Sequence, residues 1–254
     1  MTLRRSAAAL TLSFFLASCA PRPEPSFPAS PPAANAAAKP VLPRAPAKEL
    51  PAGPPPPASA LAAEGFFLTT EEKGVRVYRR EERSGVELAA EGDFKAPPAQ
   101  VARALTDFES FQSWQKHLAE NRILARGPNF LDVYQRLDLP FLGDRDFSLH
   151  VTWGNEGDVF WTRFVLVKDL GPAPKEGVVR ALAHDGAWRF EPRDGGRATH
   201  AVYRLHVDLD AFVPSWMSKG KATSELLEVF EIVAQRLPIY QGRSLPRGDE
   251  REGS

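Results

Sequence analysis

Aspartate, serine and histidine occur at alternate positions in one short stretch of the chain, at Asp146, Ser148 and His150. These residue types carry out hydrolysis when the serine, the histidine and the carboxylate hydrogen-bond in series. On a β-strand, however, alternate residues share one face and point in parallel, so they do not form such a series. The chain also has no Gly-x-Ser-x-Gly turn to present a serine nucleophile. We therefore expect no catalytic residues and a protein that is not an enzyme.

The histidines are too scattered to indicate a metal site. They are His117, His150, His184, His200 and His206. His200 and His206 would lie about 20 Å apart on one strand, because each residue advances the chain by about 3.3 Å. The single cysteine excludes an intrachain disulfide, and there is no glycine-rich phosphate loop. The sequence therefore predicts neither a metal nor a cofactor.

Arg145 and three tryptophans are candidates for binding rather than for chemistry. The Arg145 guanidinium could hold a phosphate or a carboxylate through paired hydrogen bonds. Alternatively, the Asp144-Arg145-Asp146 run is an ion-pair cluster at the start of a strand, and this structural alternative is favoured. Trp114, Trp153 and Trp216 could line an apolar site or simply fill a core.

The element that must organise these side chains is a helix from Ser215 to Leu237. Pro214 and Ser215 are start signals, and Pro238 is a stop signal. Its large apolar residues recur every three or four positions, which is typical of a helix with one buried stripe. These residues are Trp216, Leu226, Leu227, Phe230, Val233, Ala234 and Leu237.

The residues before this helix are predicted to form mostly strands, with apolar and polar side chains alternating. The predicted strands are Val75–Arg80, Val86–Phe94, Leu131–Leu139, Asp146–Trp153, Asp158–Lys168, Val178–Ala183, Gly186–Glu191 and Ala198–Asp208. Turns are expected at His184–Gly186 and Arg193–Arg197, and short helical segments at Ala58–Phe67 and from Pro98 to Trp114. The predicted fold is α+β, with a curved antiparallel sheet wrapped around the long C-terminal helix.

Four stretches in this order resemble a START domain of the Bet v 1-like, helix-grip superfamily. They are Gly74–Tyr78, Val101–Trp114, Pro140–Phe147 and Val207–Trp216. The resemblance implies a cavity between the sheet and the closing helix, which binds a lipid or another hydrophobic molecule without a cofactor. The residues expected to line it are Trp114, Arg145, Phe147, Trp153, Tyr203, Trp216 and Phe230.

Two other functions remain open on the same architecture. A polyketide cyclase or aromatase would need ionisable side chains inside the cavity, whereas the residues predicted to face inward are nearly all apolar. An interaction module of the cell envelope would have its core filled, for example by Phe160, Phe164 and Phe230.

The amino terminus resembles that of a bacterial lipoprotein. Arg4 and Arg5 precede an apolar run, and Leu16 to Cys19 resembles a lipobox, so residues 1–18 are predicted to be a signal peptide and Cys19 a lipidated residue. Residues 19–57 are rich in proline and are predicted to be an extended tether. We expect residues 58–240 to form the START-like domain and residues 241–254 a disordered tail.

Location and partners follow from these features. Ala20 follows the cysteine instead of the aspartate that would favour the inner membrane, so the sequence predicts an outer-membrane anchor and a monomer facing the periplasm. Residues 58–254 carry 26 lysines and arginines against 30 aspartates and glutamates. Because a nucleic-acid-binding domain normally shows a basic face, we expect a hydrophobic molecule and a membrane as partners, and no nucleic acid.

Overall fold

The computed structural model describes residues 53–80, 86–139, 143–208, 215–243 and 245. For Val86, Asp208 and residues 215–223 it describes the backbone alone. The predicted signal peptide, the lipidation site Cys19 and most of the predicted tether and tail lie outside the described residues, as does the side chain of Trp216.

The described residues form ten strands and two α-helices. The strands are β1 (Phe67–Glu72), β2 (Val75–Arg80), β3 (Val86–Phe94), β4 (Leu118–Gly127), β5 (Phe130–Leu139), β6 (Gly143–Glu156), β7 (Val159–Leu166), β8 (Val178–Arg180), β9 (Ala183–Arg193) and β10 (Ala198–Asp208). The helices are α1 (Pro98–Thr106) and α2 (Ser215–Arg236), with 3-10 turns at Ala58–Ala60, Phe108–Ser113, Asp194–Gly196 and Leu237–Tyr240.

All strands belong to one sheet in the order β1-β2-β3-β10-β9-β7-β6-β5-β4. Neighbours in this order are antiparallel, and β8 pairs in parallel with β6 beyond the end of β7. The long connection from β3 to β4 contains α1, and α2 follows β10. The sheet therefore has one face turned toward the helices, which we call the inner face, and an opposite outer face.

The apolar residues of the inner face form two clusters. The helix-side cluster joins β2, β3, β9 and β10 to both helices and includes Val77, Leu88, Phe94, Trp188, Phe190 and Phe230. The β5–β6 cluster includes Leu131, Val133, Phe147, Leu149, Val151 and Phe164. Tyr203, Leu205 and Leu245 contact both clusters and are only partly buried.

The C-terminal half of α2 is bound to α1 and its neighbouring turn. Leu226, Phe230 and Val233 are buried as the helical pattern predicts, whereas Ala234 is exposed. Just beyond the helix, the hydroxyl of Tyr240 donates to Asp107 at 2.5 Å. These contacts attach the C-terminal end of α2 to α1 and to the turn that follows α1.

The outer face is partly covered by the segment that leads into β1. The backbone oxygen of Gly53 accepts a hydrogen bond from Arg163 at 3.0 Å, and that of Pro55 accepts one from Arg189 at 3.1 Å. Leu61 and Phe66 pack together with Ala89. The last residues of the predicted tether thus lie against the sheet.

Three details of the predicted secondary structure are wrong. β9 runs without interruption through His184–Gly186, where we expected a turn, and Ala183 to Arg193 pair with β10 along the whole strand. Gly186 is instead a position of close packing, because a Cβ there would overlap the ring of Phe164 and lie 2.7 Å from the Arg204 carbonyl oxygen. The sequence pattern also missed the edge strands β1 and β4, whose side chains are mostly polar or exposed.

Candidate functional site

A continuous row of aromatic rings crosses the inner face and connects the two apolar clusters. We call it the aromatic row; its members, in order, are Phe147, His184, Phe164, Tyr203, Trp188, Phe230 and Phe94. Successive ring centroids lie 4.4, 5.4, 6.5, 4.1, 5.3 and 5.3 Å apart. Five strands and α2 contribute to the row, so only the folded sheet brings these rings together.

Local sequence explains how the middle of the row is built. Tyr203 of β10 lies directly opposite Trp188 of β9, and their rings stack with an interplanar angle of 5°. Gly186, two residues before Trp188, leaves room for the ring of Phe164 against β9. A side chain at position 186 would push this ring away and interrupt the row.

Tyr203 is enclosed by protein but does not lose all of its accessible surface. Burial raises the pKa of its phenol well above the usual value, although the residue is only partly buried by surface area. Its hydroxyl makes no hydrogen bond within the described part of the chain. Leu205 and Val207, the next residues on the same face of β10, are also partly buried.

His184 is the second polar member of the row. Burial lowers the pKa of its imidazole to about 4, so the ring is neutral at pH 7. Its Nδ1 atom is buried and has no hydrogen-bond partner among the described residues. The ring lies against Phe147, at an interplanar angle of 25°, and against Phe164. The sequence reading missed this residue, because the following Asp-Gly pair indicated a turn.

The comparisons with known proteins agree with this architecture. Residues 94–226, more than half of the chain, match the family described as polyketide cyclase / dehydrase and lipid transport. The chain belongs to this family. A search of curated proteins found no match.

Solved structures with the same fold include several START proteins. The crystal structure of human STARD10 has a TM-score of 0.63 and 18% sequence identity, covering 73% of this chain and 81% of that chain. The STAR-related lipid transfer protein of Xanthomonas axonopodis has a TM-score of 0.61 and 23% identity, covering 68% and 99%. Human StAR-related lipid transfer protein 5 has a TM-score of 0.61 and 16% identity, covering 72% and 95%.

These matches confirm the predicted START, or helix-grip, fold. The description of the polyketide cyclase / dehydrase and lipid transport family joins enzymes with lipid transport. Membership therefore agrees with an expected hydrophobic ligand, but it does not decide between a cyclase and a lipid-binding protein.

Three of the residues that were predicted to line a cavity lie in the aromatic row: Phe147, Tyr203 and Phe230. Trp153 is buried in the β5–β6 cluster together with Phe164 of the row; it pairs with Thr162 of β7, which pairs in turn with Trp188 of β9. Trp114 follows the 3-10 turn, with Arg236 5.2 Å above its ring. Trp153 therefore lies beside the middle of the row, whereas Trp114 lies after the turn that follows α1.

Arg145 lies on the inner face of β6, two residues from Phe147, and is buried. Its Nη1 donates to the carbonyl oxygens of Gly143 and Asp144, at 3.4 and 3.2 Å. On either side of it, Asp144 pairs with Arg136 of β5 and Asp146 pairs with Arg180 of β8, so both aspartates of the predicted ion-pair cluster have arginine partners.

The residues that could have formed a hydrolytic relay lie on the outer face with separate partners. Asp146 accepts two hydrogen bonds from Arg180, at 2.8 and 2.9 Å, and Ser148 donates to the Leu170 carbonyl oxygen at 2.7 Å. His150 binds Asp132 at 2.7 Å. These side chains therefore stabilise the sheet and its connection to β8.

Two further features concern the described residues only. Among them, no three histidine, cysteine, aspartate or glutamate side chains come close enough together to hold a metal ion. None of the described helices combines the length and the apolar character that crossing a membrane requires.

Proposed function

We propose that this protein binds a lipid or another hydrophobic molecule on the inner face of the sheet, beneath α2, without chemical conversion. The observation that carries the proposal is the state of Tyr203 and Leu205. Both contact the two apolar clusters, and both keep accessible surface. Partly accessible side chains among the aromatic rings of the inner face are the surface that such a ligand would contact.

The rings of the aromatic row favour a ligand that is held by apolar contacts. Each methylene group removed from water contributes about 0.8 kcal/mol, so a long acyl chain or a ring system binds tightly without charge pairing. The stacked rings of Tyr203 and Trp188 offer a flat surface to such a molecule.

The distribution of ionisable groups supports binding rather than a cyclase activity. Four carboxylates of the described residues are buried: those of Glu91, Asp132 and Asp146 lie on the outer face, and that of Asp107, after α1, accepts a hydrogen bond from Tyr240. The aromatic row contains one histidine, whose pKa of about 4 makes it a weak base at pH 7.

The alternative of an interaction module with a filled core has less support. Phe164 and Phe230 are buried and Phe160 is partly buried, in agreement with a packed interior. Between them, however, Tyr203 and Leu205 stay accessible, which favours an interior space that a ligand can enter.

We further propose that Cys19 anchors the protein in a bacterial outer membrane and that residues 19–57 hold the domain in the periplasm, as a monomer. This part of the proposal is supported by the lipobox-like sequence. Metabolic labelling with a radioactive fatty acid, compared between the native chain and Cys19→Ser, tests it; equal labelling of the two would contradict it.

The binding proposal is tested with the whole chain carrying Cys19→Ser, so that no extracted acyl group comes from the anchor. Organic extraction and mass spectrometry should find about one hydrophobic molecule per chain, or the purified protein should bind the dye N-phenyl-1-naphthylamine. Leu205→Trp, which fills the inner face, should reduce binding at least tenfold. His206→Trp, on the opposite face of β10, is the matched control and should bind normally. A folded protein that neither carries a molecule nor binds the dye would refute the proposal.

A further inference from the structure

The segment that leads into the domain is held on the outer face by arginines of two neighbouring strands. Nε of Arg163, on β7, donates to the carbonyl oxygen of Gly53 at 3.0 Å, and Nη1 of Arg189, on β9, donates to that of Pro55 at 3.1 Å. Gly53 and Pro55 are both buried. Residues 53–57, which we call the proline segment, are therefore attached to the sheet.

We propose that Arg163 and Arg189 form a binding site for a polyproline backbone and that its occupant is the proline segment of the same chain. Through this contact, the site fixes the point at which the N-terminal part of the chain leaves the domain. The site lies on the face opposite the proposed ligand, so its test does not depend on ligand binding.

The chemistry of the two partners is complementary. Proline has no N–H group, so the four successive prolines at residues 54–57 offer carbonyl oxygens as acceptors and no backbone donors. A guanidinium offers donors and no acceptor. Pro57 has φ −69° and ψ 170°, in the extended region close to polyproline II. Because the ring of proline already fixes φ, docking removes little conformational entropy from this segment.

The spacing of the two arginines matches an extended chain. Arg163 pairs with Ala187 of β9, so Arg189 is its diagonal neighbour, two residues further along the partner strand. Diagonal neighbours on antiparallel strands lie about 7–8 Å apart. Carbonyl groups two residues apart in polyproline II are separated by about 6 Å along the chain. The two guanidinium groups can therefore reach alternate carbonyl oxygens of one segment.

The sheet prepares both arginines for this contact. Glu191 accepts a hydrogen bond from Nε of Arg189 at 2.6 Å, which orients the side chain that bonds to Pro55 through Nη1. Arg163 is partly buried, and burial, together with the positive charge of Arg204, lowers the pKa of its guanidinium. A partly desolvated guanidinium needs an acceptor, and the Gly53 carbonyl oxygen supplies one.

Gly53 marks the end of the attached segment. Its φ of 93° lies in the left-handed region, where side chains are strained. A Cβ at this position would also overlap the carboxylate of Glu156, at the end of β6. The chain therefore turns at a position that only glycine fits, beside the β6–β7 hairpin.

Docking of the proline segment moves the exit point across the sheet. The next attachment along the chain is made by Leu61 and Phe66, which pack with Ala89 of β3. From there the proline segment extends the attachment across β10 and β9 to β7. It shortens the reach of the preceding chain by about 15 Å, since polyproline II rises about 3.1 Å per residue.

The exit point also has a defined position along the strands. Phe160, beside the β6–β7 hairpin, pairs with Phe190 near the end of β9. At the other end of β9, Ala183 pairs with Asp208, the last residue of β10 before the chain leads into α2. The N-terminal part of the chain therefore leaves at the end of the sheet opposite the one from which β10 leads into α2.

The first test measures where the proline segment lies in the whole Cys19→Ser chain, which has no other cysteine. Nitroxide labels are attached at Pro56→Cys and at Asn129→Cys in the β4–β5 turn, both exposed positions. Pulsed electron paramagnetic resonance should find a single narrow distribution of distances between them.

Substitutions then test the role of the arginines. Arg163→Gln together with Arg189→Gln should abolish the narrow distribution. Arg193→Gln is the matched control, because this exposed arginine lies four residues from Arg189 on the same face of β9. It should leave the distribution unchanged. Gly53→Val keeps both arginines but disturbs the turn, so it should also broaden the distribution.

The second test asks whether the site recognises the segment as a ligand. In a whole chain in which residues 54–57 are replaced by Gly-Ser-Gly-Ser, a fluorescent peptide of residues 51–59 should bind with a Kd on the order of 100 µM, since two charge-assisted hydrogen bonds hold it. The native segment competes at an effective concentration of about 1 mM, so the peptide should bind the unreplaced chain about tenfold more weakly. Adding Arg163→Gln and Arg189→Gln to the replaced chain should abolish binding, whereas Arg193→Gln should not.

Each measurement can overturn the proposal. A broad distribution of distances in the chain with both arginines would show that the segment is not docked. A narrow distribution that survives the double substitution would show that the arginines do not hold it. If the double variant does not fold, a distribution that stays narrow in Gly53→Val has the same consequence. A peptide that fails to bind the replaced chain would show that the site does not recognise a polyproline backbone.

Discussion

The two faces of the sheet differ in whether their enclosed polar side chains have hydrogen-bond partners. On the outer face, Asp146 binds Arg180 and Tyr134, and His150 binds Asp132. On the inner face, the buried Nδ1 atom of His184 has no partner in the described chain, and the partly accessible Tyr203 makes no hydrogen bond there through its hydroxyl. Residues of the same types therefore have hydrogen-bond partners on one face and none within the described chain on the other.

This difference predicts opposite effects on stability when the polar groups of the two faces are replaced. A polar group whose hydrogen bonds are made within the protein loses stability when it is replaced. A polar group that is enclosed and unpaired already lowers stability, so its replacement by an apolar side chain of similar shape should stabilise the fold. Each prediction below tests this contrast.

The largest effect should come from Asp146 on the outer face. Asp146→Ala removes a carboxylate that is 1% exposed and leaves the buried Tyr134 hydroxyl and part of Arg180 without a partner. Breaking a buried pair costs about 4 kcal/mol, measured as the free energy of unfolding in urea. Asp144→Ala, which breaks the partly exposed pair with Arg136, should cost less than about 1 kcal/mol. Equal losses would show that Asp146 has no special structural role.

A smaller effect should appear in the pH dependence of stability. His184 has a pKa of about 4 when folded, against 6.5 for an ordinary histidine. Between pH 6.5 and pH 4, His184 is therefore protonated in the unfolded chain and neutral in the folded chain. The free energy of unfolding is therefore not lowered by this histidine above pH 6.5, and it falls by about 3 kcal/mol as the pH decreases toward 4.

The matched variant for this measurement is His184→Phe. Its unfolding free energy should lack this component, so the stability difference between variant and wild type should grow as the pH falls from 7 to 4. A constant difference across this range would show that the ring is not enclosed.

The same substitution at two histidines should have opposite signs. His150→Phe removes the partner of a buried carboxylate oxygen and should destabilise the protein by about 2 kcal/mol. His184→Phe removes a buried nitrogen that has no partner among the described residues and should stabilise the protein by about 1 kcal/mol at pH 7. Urea unfolding of the two variants measures both values, and destabilisation by His184→Phe would remove the distinction between the faces.

The smallest effect should come from Tyr203→Phe. Its hydroxyl has no partner in the described part of the chain and the residue keeps accessible surface, so the free energy of unfolding should change by less than about 0.5 kcal/mol. Tyr134→Phe is the matched control on the outer face, where the hydroxyl donates to Asp146 at 3.1 Å. That variant should lose about 1 kcal/mol.

The sequence predicted much of the fold because strand alternation and helical periodicity are local. β3 and β10 have the predicted bounds, and α2 runs from Ser215 as expected. β4 was missed, since an edge strand with Glu120, Asn121 and Arg122 in succession shows no apolar alternation.

The candidate site was less predictable, because it depends on which rings meet across five strands. Phe147, Tyr203 and Phe230 were identified by type and by face, and Trp153 lies beside the row through its pairing with Thr162. His184 was missed, because an Asp-Gly pair is a local turn signal and the contact that keeps β9 straight there, Phe164 over Gly186, comes from another strand.

The amino-acid sequence by itself determined the alternation of the strands, the stripe of α2 and hence the family's architecture, because these depend on residues a few positions apart. Only the tertiary structure decided which polar groups are paired and which are enclosed without a partner. That distinction depends on side chains distant in sequence, such as Asp132 with His150 or Phe147 with His184, which meet only when the sheet register is complete.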